Sequence, residues 1–130
     1  MNDSHPYSPK KYRYDRKWKQ DHPDAVRQAQ NKYYRTIRGR YHKLMVVARQ
    51  RKLSMTLSLE DYTSLVAHSC FYCGDPLPDV GYGLDRINNS EGYDLSNVRP
   101  CCEQCNRAKT NLSEENFYAW IQKVSKCRGI

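Results

Sequence analysis

The sequence predicts an α+β fold, a small zinc-stapled core of one β-hairpin and short flanking helices, with a basic helical arm at its N-terminal end. Three observations predict it. Two Cys-x-x-Cys pairs, Cys70/Cys73 and Cys102/Cys105, stand at metal-ligand spacing. Two short extended stretches, separated by turn residues, lie between the pairs. Apolar residues outside this module recur at steps of three and four.

The chain has 130 residues, which suits one domain with an appendage. Its composition divides it at 1–22, a flexible basic arm, 23–57, a basic helical segment, and 58–127, the cysteine module. Charge follows that division. Residues 1–52 hold 15 Lys and Arg against 4 Asp and Glu, a balance of +11, whereas residues 53–130 hold 7 against 10, a balance of −3. Such asymmetry suits a polyanion, and the interleaved tyrosines favour nucleic acid over an anionic membrane. A membrane surface would want a stronger apolar face than the arm offers. The longest strongly apolar run, Leu44–Ala48, is far short of the ~20 residues that span a bilayer. The first residues contain no apolar stretch of the kind that directs secretion, so the expected location is cytoplasmic.

In chain order, residues 1 to about 20 read as a Tyr-rich flexible arm. A long helix follows, with Asp21 as its cap and Pro23 in its first turn. Its apolar stripe runs Val26, Ala29, Tyr33, Ile37, Tyr41, Leu44 and Ala48, and Gly39 marks a candidate break. Arg35, Arg38, Arg40 and Lys43 are its candidate DNA contacts. Ser58 caps a second helix that turns Leu59, Tyr62, Leu65 and Val66 inward. A knuckle over Cys70–Pro78 leads to a strand at 82–87, a turn at Asn88–Gly92, and a second extended segment ending at Pro100. A helix starts near Cys102. The last helix is capped by Ser113 and presents Phe117, Trp120, Ile121 and Val124 as its buried face.

The two cysteine pairs, with 28 residues between them, form a closed four-thiolate zinc site. A closed site is structural, because no position is left for water. Zinc ligation can supply ~10–16 kcal/mol of folding energy in small peptides, which outweighs closing a loop of this length. Cys101 reads as packed and Cys127 as uninvolved, while His68 is a fallback ligand. The loop between the pairs carries Asp85, and Asn106 follows on the next helix. A carboxylate and an amide oxygen converging from a hairpin and a helix suit one hard cation such as Mg²⁺.

From Cys70 to about Ile121 the chain resembles the HNH endonucleases, the ββα-metal (His-Me finger) nucleases of phages and bacteria. The resemblance rests on "CFYCG", "GLDRINNSEGY" and "NVRPCCEQCNRAK" together. It implies a ββα-metal core and a metal-dependent DNA endonuclease of restriction, homing or phage type, most naturally acting on double-stranded DNA. It implies a bacterial host cell and a phage or mobile-element origin. Asp85 and Asn106 then become ligands of a catalytic Mg²⁺ or Mn²⁺, with Asn97, nine residues before Asn106, orienting the loop. Arg86 stands where the family usually has its histidine base. Arginine stays protonated, so it is expected to bind and stabilise the scissile phosphate instead. Among nearby tyrosines Tyr72 leads as the replacement base, ahead of Tyr82 and Tyr93, provided its pKa is lowered. His68 and a metal-bound hydroxide are the other sources. Arg99, Arg107 and Lys109 ring the region as phosphate contacts. Restriction-type members often act in pairs, so a homodimer is one arrangement the resemblance allows. The alternative to catalysis is a zinc module that binds DNA or RNA without cutting.

Overall fold

The computed structural model describes residues 16–130. Most of the Tyr-rich arm expected at 1–20 therefore lies outside the described residues. Residues 16–21 are helical rather than irregular. Helix α1, Pro23–Tyr33, follows with Pro23 in its first turn. Its N-cap is His22 and not Asp21, which belongs to the preceding helical segment, and no side chain caps it. The His22 ring instead stacks on Trp18 at 4.4 Å.

The long helix expected from the stripe is two helices. The chain turns at Tyr34–Thr36 and restarts as α2, Ile37–Gln50. Thr36 caps α2, accepting from Gly39 N at 3.0 Å and donating to Tyr33 O at 2.6 Å. A Cβ on Gly39 would lie 2.0 Å from Tyr33 O, so this glycine admits the turn against the helix rather than weakening its middle. The stripe is buried only beyond that turn. Leu44 and Ala48 are fully buried, whereas α1 buries no side chain.

Helix α3, Leu59–Val66, opens on the expected Ser58 cap, completed by Asp61 as a capping box with both bonds at 3.0 Å. Tyr62 is fully buried and donates to Tyr82 O. Strands β1, Leu84–Arg86, and β2, Val98–Pro100, pair antiparallel with Asp85 opposite Arg99. A short helix, α4, Glu103–Lys109, and a longer one, α5, Glu114–Arg128, complete the chain. The fold is thus α+β, with one two-stranded sheet among helices.

One apolar cluster joins Leu44 and Ala48 of α2, Tyr62 of α3, Leu84 of β1, Val98 of β2, and Leu57 and Tyr93. The basic helix and the hairpin therefore share a core. The loop between the strands is tied to the segment before α3, with Tyr93 N donating to Ser54 O at 2.9 Å and Thr56 N to Tyr93 O at 3.0 Å. A second cluster gathers Cys70, Cys101 and Cys102 with Tyr72 and Leu77.

The last helix departs from expectation. Phe117 is buried against Tyr72, but Trp120, Ile121 and Val124 are 51%, 42% and 41% exposed. The helical period was read correctly. The helix runs past the body that covers its first turns, so the stripe continues without a neighbour among the described residues.

Candidate metal centre and cleft

Cys70, Cys73, Cys102 and Cys105 bring their four sulfurs within 4.8 Å of one another. A tetrahedron with Zn–S bonds of about 2.3 Å has edges of about 3.8 Å. The Cys73–Cys102 sulfurs are 3.8 Å apart. The donor set and its spacing therefore fit zinc. The local geometry follows from the sequence: Gly74 turns at φ +79 to close the knuckle, and Cys102 sits at the N-cap of α4, where its sulfur accepts from Cys105 N. Burial opposes ionisation of Cys70, but backbone N–H groups of Cys73, Cys102 and Tyr72 outweigh it and bring the thiol down to about 6. Cys101 is buried beside the cluster and outside it, donating to Cys102 O. Burial, with the charges of Cys70 and Asp85, pushes its thiol well above the usual range. His68 is exposed, bonds to Ser64 O, and does not join the cluster.

A cleft of about 550 Å³ opens beside β1. Asp85, Arg86 and Asn106 all line it. Asp85 is 3% exposed. Its Oδ2 accepts from the Tyr72 hydroxyl at 2.6 Å, and its Oδ1 from Lys109 Nζ at 3.1 Å. Asn106 reaches the same strand from α4, donating through Nδ2 to Leu84 O at 3.3 Å. That bond leaves the Asn106 Oδ1 lone pairs for another partner. Each Asp85 oxygen likewise keeps a lone pair. One carboxylate and one amide oxygen at a water-accessible cleft fit Mg²⁺ or Mn²⁺, which retain waters in such sites.

Asn97 is 3% exposed and does not reach the cleft. It accepts from Asn88 N at 2.8 Å and donates to Asn88 O at 3.1 Å and Gly92 O at 2.8 Å. These three bonds fix the loop that joins the strands. Arg86 braces the same loop, with Nη1 on Asn89 O at 2.6 Å and Glu91 O at 2.7 Å, and its guanidinium lies 5.4 Å from the Tyr93 ring centre.

Several expected roles change. Tyr72 was to be activated by a lowered pKa. Burial, then its bond to Asp85 and that carboxylate's charge, push the phenol well above its ordinary value instead. Lys109 was read as a phosphate contact but is fully buried against Asp85 and Arg86 O, out of reach of a surface phosphate. Arg99 also turns inward: it pairs with Glu114 at 3.0 Å and stacks over Phe71 at 4.1 Å. Its side chain is only 11% exposed. Arg107 stays at the cleft, paired with Glu103. Arg40 and Lys43 line the cleft, whereas Arg35 and Arg38 are exposed and outside it. Sequence reading missed the Tyr72–Asp85–Lys109 chain and the cleft position of Arg51.

The fold and the cysteine cluster define a small α+β module with a candidate zinc site. It is similar to the solved structure of the rare-cutting HNH restriction endonuclease PacI, with a TM-score of 0.51 and 26% identity over 70% of this chain and 80% of that one. An uncharacterized protein of Acanthamoeba polyphaga mimivirus is 31% identical over 119 residues, 92% of this chain. The chain spans 22% of that relative's length. No family model matches the chain. Among the described residues no helix is long and apolar enough to cross a membrane.

Proposed function

We propose that the chain is a metal-dependent DNA endonuclease that hydrolyses phosphodiester bonds. The observation that carries this reading is Asp85 and Asn106 at one cationic cleft, beside a four-cysteine cluster. The likeness to an HNH restriction endonuclease supports DNA as the substrate. The viral relative supports a mobile-element origin.

In this reading Asp85 and Asn106 hold Mg²⁺ or Mn²⁺, and the cysteines hold structural zinc. A bound divalent ion supplies Lewis-acid stabilisation of charge on the phosphate and the leaving 3′ oxygen. Tyr72 and Lys109 fix the Asp85 carboxylate, so its remaining lone pairs face the cleft in one orientation. Asn97 and the Arg86 Nη1 bonds hold the loop beside it rigid. Arg86 adds fixed positive charge where negative charge builds on the phosphate. Water forms the new bond to phosphorus as the P–O3′ bond breaks, giving a 5′-phosphate and a 3′-hydroxyl, with the attacking water losing a proton to solvent and the 3′ oxygen taking one from it.

The test is conversion of supercoiled plasmid with a panel of divalent metals. Nicking or linearisation in Mg²⁺ or Mn²⁺ is expected, and its loss in Asp85→Ala. Equal cutting by wild type and variant would refute the metal assignment. A second reading, a zinc module that binds nucleic acid without cutting, draws on one observation. The Asp85 charge is already balanced by Lys109, which weakens its pull on a dication. That reading expects binding but no cleavage with any metal.

A further inference from the structure

Helix α2 forms one wall of the cleft. Arg40, Lys43, Val47 and the C-cap Arg51 follow one another at steps of three and four, along one stripe of α2 and its C-terminal end. An adjacent stripe of the same helix buries Leu44 and Ala48 in the core. The basic stripe is therefore fixed in position rather than carried on a mobile arm. Arg40, Lys43 and Arg51 all line the cleft, facing Asp85, Arg86 and Asn106 across it.

The charge on this wall is unmatched. Asp85 is spent on Lys109, and Glu103 on Arg107. Among the described residues Arg40, Lys43, Arg51 and Arg86 have no carboxylate partner. Arg40 is 8% exposed, anchored through Nη1 on Pro78 O at 3.2 Å, and its Nε has no partner. A buried guanidinium without an anion is costly unless an anion arrives. Lys43 and Arg51 are exposed at the mouth, and the Lys43 ammonium lies 5.7 Å from the Tyr34 ring centre.

We propose that Lys43 and Arg51, on a wall fixed by Arg40, form a second phosphate subsite that binds the phosphodiester flanking the one cut at Asp85 and Asn106. This rests on the nuclease reading. Lys43 and Arg51 are positioning residues: they set where the strand lies and touch no reacting atom. The ligand is a nucleic-acid backbone, because the subsite offers cations without base-reading donors, and phosphate contacts of this kind position without specifying sequence.

The test measures DNA binding and cleavage separately. Zinc-loaded protein without added Mg²⁺ or Mn²⁺ is titrated onto a labelled duplex by fluorescence anisotropy, across about 50–200 mM salt. The Lys43→Gln/Arg51→Gln double variant is expected to bind about tenfold more weakly at low salt. Its log Kd against log salt slope should fall by roughly two units, about one for each phosphate contact removed. With Mg²⁺ present, KM should rise while kcat at saturating DNA stays within about twofold. A charge-matched control, Arg49→Gln/Lys123→Gln, removes two exposed cations away from the cleft and should leave the slope within about half a unit. Equal effects from the two double variants would overturn the subsite, since net charge alone would then explain binding. An unchanged slope in the cleft variant would also overturn it. Wild type that binds with the expected slope but never cuts would refute the nuclease reading and leave the phosphate wall standing.

Discussion

At the scale of single residues, the site depends on a buried ion pair that one-dimensional reading places on the surface. Lys109 ends a short helix after Arg107, where a cation ordinarily serves the helix dipole in solvent. Its burial depends on the hairpin docking over α4, and that is a tertiary event with no local signature. Asp85 and Asn106 could be singled out from residue type and placement, whereas Asn97 was singled out only through the resemblance to the HNH nucleases. Lys109→Met would leave Asp85 in a buried position with its cation removed. The expected cost is about 3–5 kcal/mol, read as a fall in the urea midpoint at unchanged m-value. A cost below 1 kcal/mol would mean the pair is already solvated. Tyr72 illustrates the same lesson with opposite outcome. Its proximity to the site was readable from its place between two cysteines, but its role as a donor to Asp85 was not.

At the scale of elements, periodicity located α3 and α5, merged α1 with α2, passed over the helical residues 16–21, and misjudged which faces are covered. The stripe on α2 is core because α3 and the hairpin lie against it. The equivalent stripe on α5 is core only at Phe117. Sequence periodicity reports that a face is apolar, and burial depends on whether another element is there to meet it. The expected energetic signature is a contrast within one helix. Phe117→Ala should cost about 3–5 kcal/mol, as for a large buried aromatic, whereas Val124→Ala should cost under about 1 kcal/mol. Thermal or urea unfolding of the two variants checks this, and similar costs would mean that α5 is covered along its length. The split between α1 and α2 was half legible: Gly39 signalled it, but the turn falls three to five residues earlier, at Tyr34–Thr36. The glycine is needed for the close approach of Tyr33 O, not for a break at its own position.

At the scale of the whole molecule, the cysteine cluster joins the knuckle before the hairpin to the helix after it, and so encloses Asp85 and borders Asn106. The described core is small, so metal ligation should contribute much of the stability. The expected result is one zinc per chain by elemental analysis. Stripping it with a strong chelator should abolish the cooperative unfolding transition and release the backbone protection of the hairpin in hydrogen exchange. Retention of a sharp transition in zinc-free protein would show that the apolar core suffices alone.

Helix α4 has seven residues, too few to persist in water unaided. Within it stand Cys105, Asn106 and Lys109. On the proposed reading the chain acquires its cutting site only when zinc arrives to hold that helix. A newly made chain would then stay harmless to the nucleic acid around it until a cell's free zinc had tied the last knot, which makes metal supply a timer on the enzyme's birth.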